Sequence, residues 1–308
     1  MTKAIKPIIV NRVMGVKEWS LILLLSVIWG GSFFFIGVAV KELPPLTIVL
    51  GRVFLGSSLL LLFAYIKGHK IPSSLKIWGL FLVMGCLNNV IPFCLIVWGQ
   101  THIESGLASI LNATTPIFSV ILAPLLTKDE KFTTNRISGV LLGWVGVIVL
   151  IGLESLSRLG IGFLAQLAIL GASLSYACAA IFARNFKNIH PVVAAAGMLS
   201  CSTLIMLPLA LYIDQPWQLS VSITPILAVV GLATICTSVA YLIYFRILAS
   251  AGATNAVLVT LLVPISAIIL GWLFLGERLD WNAFVGMAFI FGGLIIIDGR
   301  LLKWNKRK

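Results

Sequence analysis

The amino-acid sequence predicts an all-α integral membrane protein with ten transmembrane helices, arranged as a five-plus-five inverted structural repeat. Of its 308 residues, 60% are hydrophobic and only 10% are charged, whereas soluble domains carry about 25% charged residues. Uncharged runs of ~18 residues or more recur along the chain, which is long enough to span a bilayer. The second part of the chain also repeats features of the first. This composition excludes soluble enzymes, disordered scaffolds and nucleic-acid-binding proteins.

Each apolar run is predicted to be a helix, because backbone groups in lipid must be hydrogen-bonded internally and ~20 helical residues cross the hydrocarbon core. The predicted spans are 19–40, 46–66, 77–98, 104–127, 136–153, 161–183, 191–213, 225–245, 253–275 and 281–299. The connections are too short for a folded soluble domain. We therefore expect four segments: an N-terminal tail (1–18), a first repeat (19–155), a second repeat (160–300) and a basic C-terminal tail (301–308).

The positive charges predict the orientation. Lys and Arg concentrate in cytoplasmic loops, and ten spans place both tails on the same side of the membrane. That side receives eighteen of the 22 Lys and Arg residues. The opposite side receives Lys41, Arg158 and Arg278, and Arg52 lies within a span. We therefore predict a multi-pass protein of the plasma membrane, the inner membrane in a bacterium, with both termini in the cytoplasm.

An internal repeat appears at an offset near 147 residues. Trp29 precedes Pro44 by fifteen residues, and Tyr176 precedes Pro191 by the same interval. The other correspondences are mid-span prolines, glutamates after those spans and two pairs of glycines: Pro116 and Pro264, Glu130 and Glu277, Gly139 and Gly286, Gly146 and Gly293. Because five spans is an odd number, the repeats enter the membrane from opposite sides. This architecture supports alternating access to a site near the midplane, where the halves meet.

These motifs resemble the EamA-type branch of the drug/metabolite transporter superfamily. The residues that carry the resemblance are Trp29-Gly30-Gly31-Ser32-Phe33, Arg52, Pro116, Pro264, Glu130 and Leu275-Gly276-Glu277-Arg278. The resemblance covers nearly the whole chain in two copies. It implies ten helices in an inverted repeat, cytoplasmic termini, and the movement of small metabolites, often amino acids and commonly outward. The second repeat departs from the pattern, since it has Tyr176 in place of Trp29 and no arginine opposite Arg52.

The fourth span carries a narrow polar face. Ser105, Ser109, Asn112, Pro116 and Ser119 recur at helical spacing, and Ala253, Val257, Thr260, Pro264 and Ala267 are their counterparts in the ninth span. Small residues also let membrane helices approach closely, which is the alternative interpretation of the serines. Pro116 removes the amide that would bond the Asn112 carbonyl, so that this carbonyl is free for a ligand, a water or a neighbouring helix. The candidate pathway residues of these spans are Asn112, Thr115, Pro116, Thr260 and Pro264.

Arg52 lies about six residues into the second span, roughly 9 Å along the helix. A charge at this depth costs on the order of 2.5 kcal/mol or more, so it should face the bundle interior or reach the outer interface. Two roles remain open. Arg52 clamps a substrate carboxylate or phosphate, or it pins helix ends by bonding the carbonyls of broken helices. The resemblance favours the structural role, because an arginine recurs here across a family whose substrates differ.

Further polar and aromatic residues lie deep in the spans. Asn88 and Asn89 point ~100° apart on a helix, so that at least one should face the cavity. The aromatic candidates for a central pocket around an apolar substrate group are Trp29, Tyr176, Tyr241 and Tyr244. The alternative is an interfacial aromatic belt, which is expected for residues near span ends: Trp98, Trp217, Trp281 and Trp304.

None of the ten Asp and Glu residues falls near a predicted midplane. Proton-coupled carriers and exporters of cationic drugs often place a carboxylate there. The sequence therefore favours an uncoupled carrier, or a substrate that is anionic, zwitterionic or neutral. His102 and Glu104 form the one candidate proton-linked pair, with a plain interfacial pair as the alternative. All five cysteines fall within spans without a C-x-x-C pair, which favours apolar packing over metal binding or disulfides.

A metabolite exporter without a cofactor or metal is the function that the sequence predicts best, with a small molecule and the lipid bilayer as its partners. A membrane-embedded enzyme is the main rival class, but the three histidines lie in no catalytic or metal-ligand cluster. A non-transporting scaffold or receptor would not need a polar interior face. Import or exchange of a nucleotide-like or phosphorylated metabolite would be expected to need several buried cations. The oligomeric state stays open, because the Gly139/Gly143/Gly146 face suits packing within the bundle or between subunits.

Overall fold

The computed structural model describes residues 14–127, 130, 132–152, 160–186, 189–256 and 258–298. Within these residues ten helices are long and apolar enough to cross a membrane, and there is no strand. They are α1 (Val16–Ala39), α2 (Pro45–Ile66), α3 (Leu75–Gln100), α4 (Ser105–Leu126), α5 (Thr134–Ile151), α6 (Ile161–Phe186), α7 (Pro191–Ile213), α8 (Ile223–Ala251), α9 (Leu258–Leu275) and α10 (Trp281–Asp298). The predicted all-α, ten-helix membrane fold is confirmed.

Some predicted features lie outside the described residues. These are most of the N-terminal tail, the C-terminal tail, Trp304, Val257 and several of the charges used to predict orientation, among them Lys128, Arg158 and Lys187. The side chain of Ala253 is also outside them.

Proline and glycine set several helix boundaries. Pro45 and Pro191 occupy the first turns of α2 and α7, where a missing N–H costs nothing because the first amides of a helix have no intrahelical partner. The two repeats therefore begin their second helices in the same way.

The helix α9 ends at Gly276, whose φ of 71° is left-handed, a conformation that glycine adopts without steric cost.

Five membrane helices depart from regular α-geometry, and one of them, α6, does so only in the 3₁₀ turn Ala183–Phe186 at its end. The helices α3 and α8 contain π-helical segments at Cys86–Val90 and Thr234–Val239, which are near-equivalent positions in the two repeats. The helix α9 ends in another, Gly271–Leu275. The helix α4 is interrupted by a turn between Asn112 and Thr115, just before Pro116. Such interruptions are frequent at functional sites.

Pro264 causes no interruption like that of α4. Pro264 lies inside the continuous α-helical stretch Leu258–Leu270. Membrane helices accommodate an internal proline when neighbouring groups satisfy the freed backbone carbonyl. The two mid-span prolines therefore have different consequences in the two repeats, although they are equivalent in sequence.

Helix packing follows a pseudo-two-fold pattern. The helix α1 packs against α8 and α9, and α6 packs against α3 and α4 in the corresponding way. The equivalent helices α2 and α7, α4 and α9, and α5 and α10 pack against each other. This arrangement is the inverted five-plus-five repeat, and a large apolar cluster contains residues of both halves.

The two repeats approach most closely where α5 meets α10. A Cβ atom added to Gly146 would lie 2.7 Å from the carbonyl oxygen of Gly286, and a Cβ added to Gly286 would lie 2.7 Å from that of Gly146. Gly139 and Gly293 form a second reciprocal pair. The glycine face of α5 therefore packs within the chain, against α10.

The alternation of ten helices defines two membrane faces. We call the face that carries the loops after α1, α3, α7 and α9 the odd-loop face. The opposite face carries the loops after α2, α4, α6 and α8 and the start of α1 at Val16, and we call it the termini face.

Candidate functional site

A chain of hydrogen bonds joins α3, α8 and α7 in the interior. Asn88 Nδ2 donates to the hydroxyl of Tyr241 at 2.9 Å, and this hydroxyl donates to Asn89 Oδ1 at 3.4 Å. Asn89 is fully buried and donates through Nδ2 to Ser202 Oγ at 3.1 Å. Both asparagines lie in the π-helical segment of α3, where the altered turn lets neighbouring side chains both reach the interior.

Arg52 faces the interior of the bundle, as one of its two predicted placements required. Only 7% of the residue is exposed, and its Nε donates to Thr237 Oγ1 on α8 at 3.0 Å. The carbon at the centre of its guanidinium group lies 3.6 Å from the centroid of the Phe93 ring. The phenol groups of Tyr176 and Tyr241 are within electrostatic range. Arg52 thus connects α2 to α3, α6 and α8.

The guanidinium group of Arg52 still has donor atoms that can bind a ligand. Among the described residues, Arg52 forms no ion pair with a carboxylate, and its two Nη groups have no hydrogen-bond partner. A buried cation is expensive unless other groups offset its lost hydration. The Phe93 ring offers part of that offset through a cation–π interaction. The arrangement can therefore accept an anionic group that enters from the pathway.

Asn112 ends the first segment of α4 beside the turn. Its carbonyl accepts hydrogen bonds from Thr115 Oγ1 at 2.8 Å and from Ser173 Oγ on α6 at 3.4 Å. Of the partners expected for this carbonyl, a ligand, a water or a neighbouring helix, the structure shows the neighbouring helix, and the hydroxyl of Thr115 in the next turn also donates to it. The side-chain Oδ1 atom is instead buried without a partner among the described residues.

The polar face predicted along α4 does not continue through the helix. The turn at Ala113 and Thr114 shifts the helical phase between the two segments. Ser109 Oγ donates to Gly106 O, and Ser119 Oγ donates to Thr115 O, both within α4. These serines therefore bond their own helix, an arrangement that fits the packing alternative.

The four central aromatic residues lie at the interface of the repeats. Trp29 on α1 contacts Tyr244 on α8, with ring centroids 5.5 Å apart. Tyr241 stacks on Phe245 at 5.8 Å, while Tyr176 lies near Arg52 from the α6 side. By contrast, Trp217 and Trp281 are 66% and 77% exposed, as expected of an interfacial belt.

In the second repeat, the candidate pathway residues of α9 belong to one helical turn. Thr260 is half-buried and lies four residues before Pro264, which is buried. The helix α9 packs against α1, where Ser266 Oγ donates to Ser26 O at 2.8 Å. These contacts place α9 beside the helix that carries Trp29.

The predicted pair of His102 and Glu104 is not formed. The Nδ1 atom of His102 lies 2.7 Å from Thr101 Oγ1 and 3.2 Å from Trp98 O. Glu104 occupies the N-cap position of α4. Burial raises the pKa of its carboxyl group, with Glu277 adding to the rise and the Arg278 backbone amide opposing it. Their separate bonding partners leave the two side chains in different environments.

Several interior residues carried no signal in the sequence. Thr237, Phe93, Ser173 and Ser202 contact the predicted candidates, but hydroxyl and phenyl side chains are common in membrane helices. Listing every hydroxyl in the interior spans would have included three of them, although it would not have distinguished them from serines that pack.

The chain matches a family model over most of its length. Residues 17–152 and 163–298 each match the model described as "EamA-like transporter family". A relative from Escherichia coli, named "Probable amino-acid metabolite efflux pump", is 29% identical over 95% of this chain and 98% of its own. "Protein PecM" of Dickeya dadantii is 25% identical over 91% of this chain and 92% of its own.

Other relatives carry names that specify no substrate. The "Uncharacterized transporter YoaV" of Bacillus subtilis is 23% identical over 89% of this chain and 94% of its own. One solved crystal structure superposes with a TM-score of 0.65 at 17% sequence identity, covering 92% of this chain and 96% of its own. At that identity the likeness concerns the fold alone.

Proposed function

Because this chain belongs to the EamA-like transporter family, a family of membrane transporters, we propose that it exports small zwitterionic metabolites of the amino-acid class by alternating access. The observation that carries this substrate class is the buried Arg52, whose Nη groups have no partner among the described residues. The name of the Escherichia coli relative supports the same class of substrate.

Arg52 is proposed to bind the substrate carboxylate. A guanidinium group offers paired donors that match the geometry of a carboxylate. Thr237 holds Nε, and Phe93 supports one face of the group, so that the two Nη groups remain for the ligand. Thr237 belongs to the π-helical segment of α8 in the second repeat. A substrate bound to Arg52 would therefore be linked to both repeats.

Asn112 Oδ1 is proposed to bind the substrate ammonium group, because it is a buried acceptor without a partner among the described residues. The helix α6 connects the two ends of this site. Ser173 contacts Asn112, and Tyr176, about one helical turn further along α6, lies within range of Arg52. Ser173 and Tyr176 are three residues apart and therefore share one face of α6, and an acceptor and a cation along one face suit a zwitterion.

The remaining candidates are proposed to surround the substrate side chain. Trp29 and Tyr244 form an aromatic contact across the repeats, which suits an apolar group. Tyr241, with its two asparagine partners, adds a polar wall that can bond water or substrate. Residues of both repeats contribute, as expected for a site at the interface of inverted halves.

We place the termini face in the cytoplasm of the cell, in the plasma membrane. Eighteen Lys and Arg residues fall on that side of the ten spans and three on the other, an asymmetry that predicts the orientation of membrane proteins. Substrate would then enter from the termini face and leave through the odd-loop face.

The proposal is a carrier for amino acids rather than for phosphorylated metabolites or a membrane-embedded enzyme. Arg52 is the one Lys or Arg that falls inside a predicted span and away from its ends, whereas a phosphate would be expected to require several buried cations. The central residues are amides, phenols and one guanidinium group, and among the described ones none of their hydrogen bonds joins a hydroxyl or thiol to a histidine or a carboxylate.

The test is counterflow in proteoliposomes that contain the purified protein and a panel of radiolabelled amino acids. We expect exchange above protein-free liposomes for at least one zwitterionic amino acid, and none for phosphorylated sugars. Cells that lack the gene should retain the same amino acid in the cytosol and release less to the medium. Exchange confined to phosphorylated compounds, or no exchange with any amino acid, would reject the proposed substrate class.

A further inference from the structure

Three carboxylates on the odd-loop face bind backbone amides at the starts of helices in the opposite repeat. Asp214, at the end of α7, accepts from Thr47 N at 2.7 Å and Thr47 Oγ1 at 2.9 Å in the first turn of α2. Glu42, in the loop after α1, accepts from Ser222 N at 2.7 Å and Ser222 Oγ at 2.8 Å at the N-cap of α8. Each bond joins one repeat to the other.

The third carboxylate is Glu277, in the loop after α9. Its Oε1 accepts from Ser105 N at 2.9 Å, and its Oε2 accepts from Gly106 N at 3.2 Å. The two amides belong to buried residues of the first turn of α4, and Glu277 itself is half-buried. This contact is therefore better shielded from water than that of Glu42, which is exposed.

Charge and geometry make these contacts favourable. The first amides of a helix have no partner within the helix and lie at the positive end of its dipole. A carboxylate that accepts from them forms a charge-assisted hydrogen bond, which is stronger than a neutral one. All three contacts join helix ends that must separate if the odd-loop face opens.

On the termini face, the described residues form no equivalent set of carboxylate contacts. At the repeat offset of 147, Glu42 corresponds to Ile189 and Asp214 corresponds to Lys67. The repeats therefore have carboxylates at these two positions on one face and none at the equivalent positions on the other. The asymmetry is a property of the sequence and does not depend on the conformation in this structure.

Glu130, the counterpart of Glu277, has different partners. It forms ion pairs with Arg136 at 2.9 Å and with Arg184 at 3.3 Å. Arg136 belongs to the same repeat, so that only the longer pair, to Arg184, crosses between the repeats. Further contacts between the repeats on this face are a stack of His69 on His190, with centroids 3.8 Å apart, and a stack of Phe81 on Phe186, with centroids 6.0 Å apart.

We propose that Glu42, Asp214 and Glu277 form the gate that closes the odd-loop face, and that the structure is the state in which this gate is shut. The proposal rests on the transport cycle proposed above. Opening the gate requires the three carboxylates to release the starts of α8, α2 and α4. Glu277 makes the largest contribution, because its contact is the most buried.

Native Cys236 provides a probe of gate opening. It lies on α8 near Arg52 and is 1% exposed, so that a reagent reaches it only after a path opens. The experiment measures the rate at which a membrane-impermeant, anionic methanethiosulfonate modifies Cys236 from each face, in intact cells and in inverted vesicles. Peptide mass spectrometry separates Cys236 from the other four cysteines.

For Glu277→Gln we expect modification from the odd-loop face to be about tenfold faster, the change expected from weakening one charge-assisted hydrogen bond. Asp214→Asn should have a smaller effect and Glu42→Gln the smallest, following their exposure. The triple variant should exceed each single variant. Glu130→Gln removes a carboxylate between the repeats on the other face and should not accelerate labelling from the odd-loop face.

Glu18→Gln is the matched control for folding. Glu18 accepts a hydrogen bond from Gly15 N at 2.9 Å, also at a helix start, but within one repeat. An unchanged Cys236 rate in a folded triple variant would overturn the gate, as would equal acceleration from both faces. Labelling of Cys236 needs no substrate. If no amino acid were exchanged but the labelling rates changed as predicted, the proposed function would be rejected and the proposed gate would still be supported.

Discussion

Arg52 of the first repeat donates a hydrogen bond from Nε to Thr237 Oγ1 of the second repeat, at 3.0 Å. Thr237 Oγ1 in turn donates to Leu232 O within α8, at 2.9 Å. The arginine therefore contacts the irregular segment of α8 through a hydroxyl rather than by bonding a freed carbonyl directly. This relay leaves the ends of the guanidinium group available, and it links the proposed substrate anion site to the helix that carries Tyr241 and Tyr244.

Replacing Arg52 separates its two proposed roles. In Arg52→Gln, we expect the kcat/KM of counterflow for an amino acid to fall by about ten- to a hundredfold, because a charge-assisted bond to the carboxylate is lost. The natural protein should strongly prefer the amino acid to its carboxamide, and the variant should show little preference. Arg52→Lys should retain part of the preference. An equal loss for both compounds, together with a lower melting temperature, would favour the purely structural role.

Asn112→Ala should impair transport without loss of stability. Its Oδ1 has no partner among the described residues, so that removing it breaks no internal hydrogen bond of that oxygen. We expect KM for the substrate to rise by about tenfold, the effect of losing one hydrogen bond to a charged ammonium group. Counterflow kinetics and the melting temperature in detergent measure the two effects.

Ser119→Ala is the control for Asn112→Ala. Ser119 lies two turns further along α4 and bonds its own helix, so that its loss should leave KM unchanged. Full activity in Asn112→Ala would remove this residue from the proposed site, and a large drop in melting temperature would show a structural role instead.

Much of the fold could be predicted from the sequence, because a span needs about 20 apolar residues and the bilayer permits few other structures. The spacing from Trp29 to Pro44, repeated from Tyr176 to Pro191, indicated the second copy. Pro116 located the interruption of α4 to within a few residues. These signals are local or periodic, and the bilayer constrains the length and the backbone hydrogen bonding of a span, so that such signals are enough to predict the helices.

The details of the site were less predictable. The partners of Arg52 are a threonine and a phenylalanine about 185 and 41 residues away along the chain, and neither side chain has a distinctive spacing. No proline lies within the π-helical segment that turns Asn88 and Asn89 inward, so the pattern gave no sign of it. The loop carboxylates Glu42, Asp214 and Glu277 were predictable only as span-end charges, because their partners are backbone amides.

Gly146→Ala should destabilise the junction of α5 and α10. The added Cβ would lie 2.7 Å from the Gly286 carbonyl oxygen, a backbone atom that cannot rotate away. Overpacking of this kind costs about 1–3 kcal/mol, and we expect a lower melting temperature in detergent. Gly79→Ala is the matched control, since a Cβ at Gly79 meets nothing within 4 Å. Equal melting temperatures of the two variants would contradict the close contact described between the repeats.

The stacked rings of His69 and His190 should make the termini face sensitive to acid. Burial and the neighbouring His69 lower the pKa of His190 below its usual 6.5, so that the folded protein favours the neutral ring. The stabilising contribution is therefore present above pH 6.5 and lost as the pH falls through the lowered pKa. We expect the melting temperature to drop between about pH 6.5 and pH 5.

His190→Asn should reduce this acid-induced drop in melting temperature and preserve the start of α7. His190 Nδ1 accepts from Val192 N at 3.3 Å, and asparagine is a favourable N-cap residue that can accept the same bond. The variant should therefore match the natural protein at pH 8 and exceed it at pH 5. His102→Asn, at an exposed position on the opposite face, should leave the pH profile unchanged. If the melting temperature of His190→Asn fell at acid pH as much as that of the natural protein, the contact between the two imidazoles would contribute nothing to the acid sensitivity. Other groups would then cause it.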